Sequence, residues 1–123
     1  MSARTALALA SVLLFLAVAA GAFGAHALKS RLAPDMLSVW QTGVQYHAWH
    51  GLALALAGVL MLQMPGRGGF AVAAWCFVAG IVLFSGSLYA LALSGVRGLG
   101  AITPFGGLAF LAGWAVLGWT VTR

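Results

Sequence analysis

Three runs of this chain, Thr5 to Leu28, Phe70 to Val96 and Gly98 to Thr122, contain no aspartate, glutamate, lysine or arginine. At about 1.5 Å per residue, each is long enough as a helix to cross a hydrocarbon core about 30 Å thick. Within that core every backbone N–H and C=O has to be satisfied internally, so helices are the spanning form such runs can take. Composition agrees: 63% of residues are hydrophobic and 6% charged, against about 25% charged in soluble domains. A fourth uncharged interval runs from Met36 to Gly66, but its apolar half, Gly51 to Leu62, is too short to span alone. A crossing there must take in part of the polar stretch "QTGVQYHAWHG" at 41–51. The fold class is therefore all-α, an integral membrane four-helix bundle with short loops. It reads as one transmembrane domain over residues 1–123, with helices at about 5–27, 34–63, 70–93 and 103–121.

Local signals set these boundaries. Arg4, the apolar run Ala6 to Ala20 and "GAHA" at 24–27 imitate a signal peptide, but the run is long for an h-region and is kept as the first transmembrane helix. Pro34 and Asp35 suit the first turn of helix two, where proline lacks only an orphan donor and an acid meets the positive end of the dipole. That helix is about 45 Å long by the same rise, so its first third is expected to protrude or lie in the interface. "MPGRGG" at 64–69 and "SGVRGLG" at 94–100 read as turns. Thr103 is expected as N-cap of helix four, with Pro104 at its first position. Four crossings put loops one and three on one face and both termini with loop two on the other. Trp40 and Trp49 then fall toward the first face and Trp75 and Trp119 toward the second, as aromatic belts. Small residues at spacing four, such as Ala17, Gly21 and Ala25, are read as close contacts within the bundle rather than as an interface or pore.

The net charge of +5 is dispersed over Arg4, Lys29, Arg31, Arg67, Arg97 and Arg123. Scattered among the connections, these residues suit lipid headgroups and not nucleic acid. They split three against three between the two faces, and only the terminal amine tips the balance toward cytoplasmic termini. Cys76 stands alone, so no internal disulfide or CxxC motif exists; a small buried apolar role suits it best.

The candidate polar cluster comprises His26, Tyr46, His47, His50, Tyr89 and Arg97, all assigned to the face of loops one and three. Polarity covers most of the circumference of 41–50, so that stretch belongs at the interface or inside protein. Imidazoles are costly in hydrocarbon, so His47 and His50 are expected to turn inward, toward His26 and loop three. Hydrogen bonding that holds the loops to the bundle is the leading reading, ahead of a proton or ion pathway. Metal binding by His26, His47 and His50 ranks third because HxxH is a weak signal, and haem last because residues one turn apart cannot flank one haem. No cofactor is expected. Asp35 is the only acid, which removes any carboxylate pair, and no phosphate loop or nucleophile elbow is present. An enzyme is not expected.

The runs "GAFGAHALKSRL" at 21–32, "WQTGVQYHAWHGLAL" at 40–54 and "LFSGSLYALALSGVRGLGAITPFGGLAFLAGW" at 83–114 resemble the small membrane protein family that includes bacterial YgdD and YwdK and the eukaryotic transmembrane protein 256. The residues that match its motifs are Gly24, His26, Tyr46, His47, His50, Ser85, Gly86, Ser87, Tyr89, Arg97, Gly100, Thr103, Pro104 and Gly107. The resemblance implies four transmembrane helices and supplies no activity. Both lines lead to an accessory or structural component of the bacterial inner membrane, in contact with the bilayer and with a membrane-protein partner or further copies of itself. The alternative is a small transporter or channel that uses the histidine cluster.

Overall fold

The computed structural model describes residues 1–123 and is entirely helical. Helix α1 (Ala3–Phe23) opens behind Ser2, whose hydroxyl accepts the Thr5 N–H at 3.1 Å, and it continues into a π turn, Gly24–Leu28. Helix α2 (Pro34–Gln63) starts on Pro34 and Asp35 as the sequence suggests. Helix α3 (Gly69–Gly80), a second π turn (Ile81–Ser85) and helix α4 (Gly86–Ser94) form one continuous rod. Gly95 ends that rod with a φ of 73°, a left-handed value open to glycine, and its N–H caps the Leu91 carbonyl at 2.8 Å. A short 3₁₀ turn, Arg97–Ala101, leads into α5 (Thr103–Thr122). The chain thus makes four rods, and three of them, each 26 residues, are long and apolar enough to cross a membrane.

Thr103 is not the N-cap of α5. The 3₁₀ turn feeds the helix directly, Phe105 N–H reaching Ile102 C=O at 3.1 Å, and the cap falls on Ile102 without a side-chain bond. The Thr103 hydroxyl is instead 2.6 Å from that of Ser87 and joins α5 to α4.

α1 and α2 run antiparallel in a register that glycines define. Leu7 lies against Gly58, Leu14 against Gly51, Val44 against Gly21, and Trp40 against Gly24. At the far end Leu28, Trp40 and Ala92 form a small buried cluster that Leu37 joins, so α2 packs nearly to its start and does not leave its first third outside the bundle. Of the two outcomes expected from its length, protrusion is absent: the first third of α2 lies level with the Leu28 end of the first rod and packs there. α5 packs antiparallel on the third rod, with Gly69 beside Thr120, Gly113 beside Phe77, and Gly106 against the backbone of Phe84. The main core contains Ala6, Ala10, Leu54, Ala57, Phe70, Phe77 and Phe110, toward the end that carries the termini. Small residues on α1, α2 and α3 let the backbones approach, which is how apolar helices associate when lipid competes equally for leucine. Arg67, in the turn before α3, donates to the carbonyls of Thr120 and Val121 at 2.9 and 3.2 Å and closes the end of α5.

Candidate functional site

The register locates the polar stretch along the bundle axis. Gly51 lies beside Leu14 and the first rod runs from Ala3 to Leu28, so His50 is at half height and His47 about 5 Å nearer loop one. The sequence-based placement at the loop face is corrected by that register: the stretch lies deep in the bundle because α2 is embedded over nearly its whole length. Its polarity then divides by side. Gln41, Gln45 and Trp49 face outward, while Trp40, Gly43, His47 and His50 are buried.

Trp40, just before the stretch, and Gly43, His47 and His50 within it each reach a different helical segment. Trp40 donates its indole N–H to the Ala20 carbonyl of α1 at 2.9 Å. The Gly43 carbonyl accepts the hydroxyl of Ser85, a fully buried residue of the second π turn, at 2.7 Å. His47 Nδ1 is 2.9 Å from the hydroxyl of Tyr89 on α4. His50 Nε2 accepts the indole N–H of Trp114 on α5 at 3.1 Å. The second nitrogen of His50, Nδ1, lies 2.8 Å from its own helix at the Tyr46 carbonyl. A carbonyl only accepts and an indole N–H only donates, so these two partners together fix His50 as the neutral tautomer protonated on Nδ1. The imidazole also stacks on Phe110, with ring centroids 3.5 Å apart and 13° between planes. Tyr46 completes the layer, packing on Phe84 at 4.6 Å. Aromatic rings thus close the site on the α5 side, and a lateral groove of about 640 Å³ opens beside His50, Tyr46, Phe84 and Trp114.

His47 is different. Its Nε2 is buried near the Leu13 backbone of α1 but makes no hydrogen bond of ordinary geometry. It is the one buried side-chain polar atom in the bundle left in that state.

The remaining sequence candidates stand apart. His26 is exposed on the first π turn, outside the buried pair. Its separation follows from the register, which puts Gly24 opposite Trp40 and not His47. No three His, Cys, Asp or Glu side chains converge on one point, so the trio His26, His47 and His50 is not assembled. Arg97 meets Asp35 at 3.7 Å in an exposed pair that links loop three to the start of α2. Such a pair contributes little in water, about 0–1 kcal/mol at most surfaces. Trp49 does not lie in a belt, since the register brings it level with Leu16 near half height. Sequence reasoning missed the partners Ser85, Trp114 and Ala20. All three bonds depend on which helix faces which, and local spacing carries no such information.

A family model described as "Protein of unknown function (DUF423)" matches residues 20–107, most of the chain. The membrane protein YwdK of Bacillus subtilis is 49% identical, covering 83% of each chain. A UPF0382 membrane protein of Staphylococcus epidermidis is 47% identical over 83% of this chain and 82% of its own. The inner membrane protein YgdD of Escherichia coli K12 is 40% identical over 95% of this chain and 88% of its own. No solved structure matches. With its four rods and apolar spans, this chain is an integral membrane protein and belongs to the DUF423 (UPF0382) family, alongside YwdK and YgdD.

Proposed function

We propose that this protein is a non-enzymatic accessory or structural component of the bacterial inner membrane, and that its two buried histidines, His47 and His50, are hydrogen-bonding struts. One observation carries this reading: α2 makes a buried or half-buried polar bond to α1, the second π turn, α4 and α5 in turn, through Trp40, Gly43, His47 and His50. His50 in particular has no free lone pair for an arriving proton, because Nε2 is occupied by the Trp114 N–H. Its sole acid, Asp35, is an exposed partner of Arg97 and distant from the buried imidazoles in the α1–α2 register. The inner-membrane location rests on the relative YgdD, an inner membrane protein of Escherichia coli. A membrane-protein client would fit an accessory role.

The transporter reading has one observation in its favour, the unpartnered Nε2 of His47. Proteoliposomes with an internal pH dye and an imposed potassium diffusion potential separate the two. The expected proton flux equals that of empty vesicles, for the natural chain and for His47→Gln. A flux above the empty-vesicle rate that His47→Gln or His50→Gln abolishes would sink the structural reading. Glutamine keeps a donor and an acceptor but does not titrate near neutral pH, so the folded bundle is expected to survive either change.

A further inference from the structure

Five tryptophans lie in this chain, and their indole N–H groups divide sharply. Trp40 and Trp114 donate to protein acceptors. Trp75, within the first two turns of α3, and Trp119, close to the end of α5, lie near the termini face where water and headgroups serve as acceptors. Trp49 has neither. It is 50% exposed on the outer side of α2, and the register with α1 brings it level with Leu16, at half height. Gln45, one turn earlier on the same side, is exposed too and is level with Ala20, about 12 Å from the Leu28 end of the first rod. Neither side chain makes a hydrogen bond. A carboxamide and an indole N–H facing hydrocarbon without partners are costly, and in membranes such groups pair across helices.

The rest of that face repeats regularly. Gln45, Trp49, Leu52, Leu56, Val59 and Gln63 follow at alternating spacings of four and three, and all six are exposed. That alternation is the seam of a left-handed helix pair. It covers about 28 Å of helix, most of the thickness of a bilayer core. Apart from Trp49, whose ring lies 5.2 Å from that of Tyr46, nothing within the bundle uses it, since the buried side of α2 is the opposite one.

We propose that this seam joins two copies of the chain, as a parallel pair about a twofold axis normal to the membrane. The occupant is a second copy because the polar groups are self-complementary. An amide both donates and accepts, so Gln45 of each copy bonds its counterpart across the axis, and the Gln45 carbonyl oxygen can also take the Trp49 N–H from the adjacent layer. Leu52, Leu56 and Val59 then supply the apolar contact below. The inference does not depend on whether the buried histidines are struts or carriers, because none of them lies on this face.

Cysteine cross-linking in native membranes tests it. In a Cys76→Ser background, Leu52→Cys and Leu56→Cys are expected to give a disulfide-linked species of twice the chain mass on mild oxidation. Leu108→Cys and Leu111→Cys, more exposed still on α5, are expected to give none. In liposomes at high dilution, Gln45→Leu should lower dimer association about tenfold, with Gln45→Asn retaining most of it. Unchanged thermal unfolding of the Gln45→Leu monomer confirms that only association was lost. The proposal is overturned by cross-links that favour α5, by an adduct of another mass that reveals a different protein on the seam, or by dimers that ignore Gln45→Leu.

Discussion

Gly106→Ala is expected to destabilise the bundle by about 2–3 kcal/mol, the upper part of the range of about 1–3 kcal/mol for an overpacked core position. At this point α5 touches backbone: a Cβ on Gly106 would meet the amide nitrogen of Phe84 and lie 2.7 Å from its Cα. Side chains rotate away from an added methyl, but a π turn held by the Ser85 bond to Gly43 has nowhere to go. Glycine to alanine in a helix interior normally gains up to about 1 kcal/mol, so the sign itself is informative. Gly118→Ala on the same helix is the matched control, with no atom within 4 Å of its added Cβ, and it is expected to be neutral or mildly stabilising. Equilibrium unfolding of both variants in mixed micelles decides the matter. Equal stabilities would mean that α5 does not approach the π turn as closely as the structure has it.

That contact illustrates what the sequence made legible and what it withheld. The four rods followed from uncharged length and from Pro, Gly and Asp at their ends, because those signals are local and the bilayer fixes the required length. Depth was misjudged for His47, His50 and Trp49. Counting residues from the nearest loop gives their distance along α2, but where α2 lies relative to α1 is set by the packing of Leu7 on Gly58 and Leu14 on Gly51. The two π turns are invisible to a search for a period of 3.6, yet one forms the last turn of the first rod and the other aims Ser85 at Gly43. Polarity around most of the circumference of 41–50 pointed to the interface or to the inside of protein. The structure gives that pattern two meanings at once, since the inner polar groups bond other helices while Gln45 and Trp49 face out.

The inner half of that pattern yields the second large effect. His50→Leu is expected to cost about 1–3 kcal/mol, since it strands the Trp114 N–H and loses the stacked contact with Phe110. His50→Gln should cost less, because a carboxamide oxygen at this position can still accept from the indole. Trp114→Phe removes the donor and leaves Nε2 of His50 unpaired, at a similar cost on top of the smaller ring's lost packing. If the bond itself matters, the double variant His50→Leu with Trp114→Phe will be more stable than the sum of the singles implies, by about 1 kcal/mol, within the range of interhelical bonds in membranes. Strict additivity would remove the bond as a source of stability and leave only shape. The cycle also bears on function, since the bond that occupies Nε2 is what denies His50 a site for a passing proton. A bond with no measurable coupling energy opens readily, so additivity combined with proton flux would turn the same residue from a strut into a carrier.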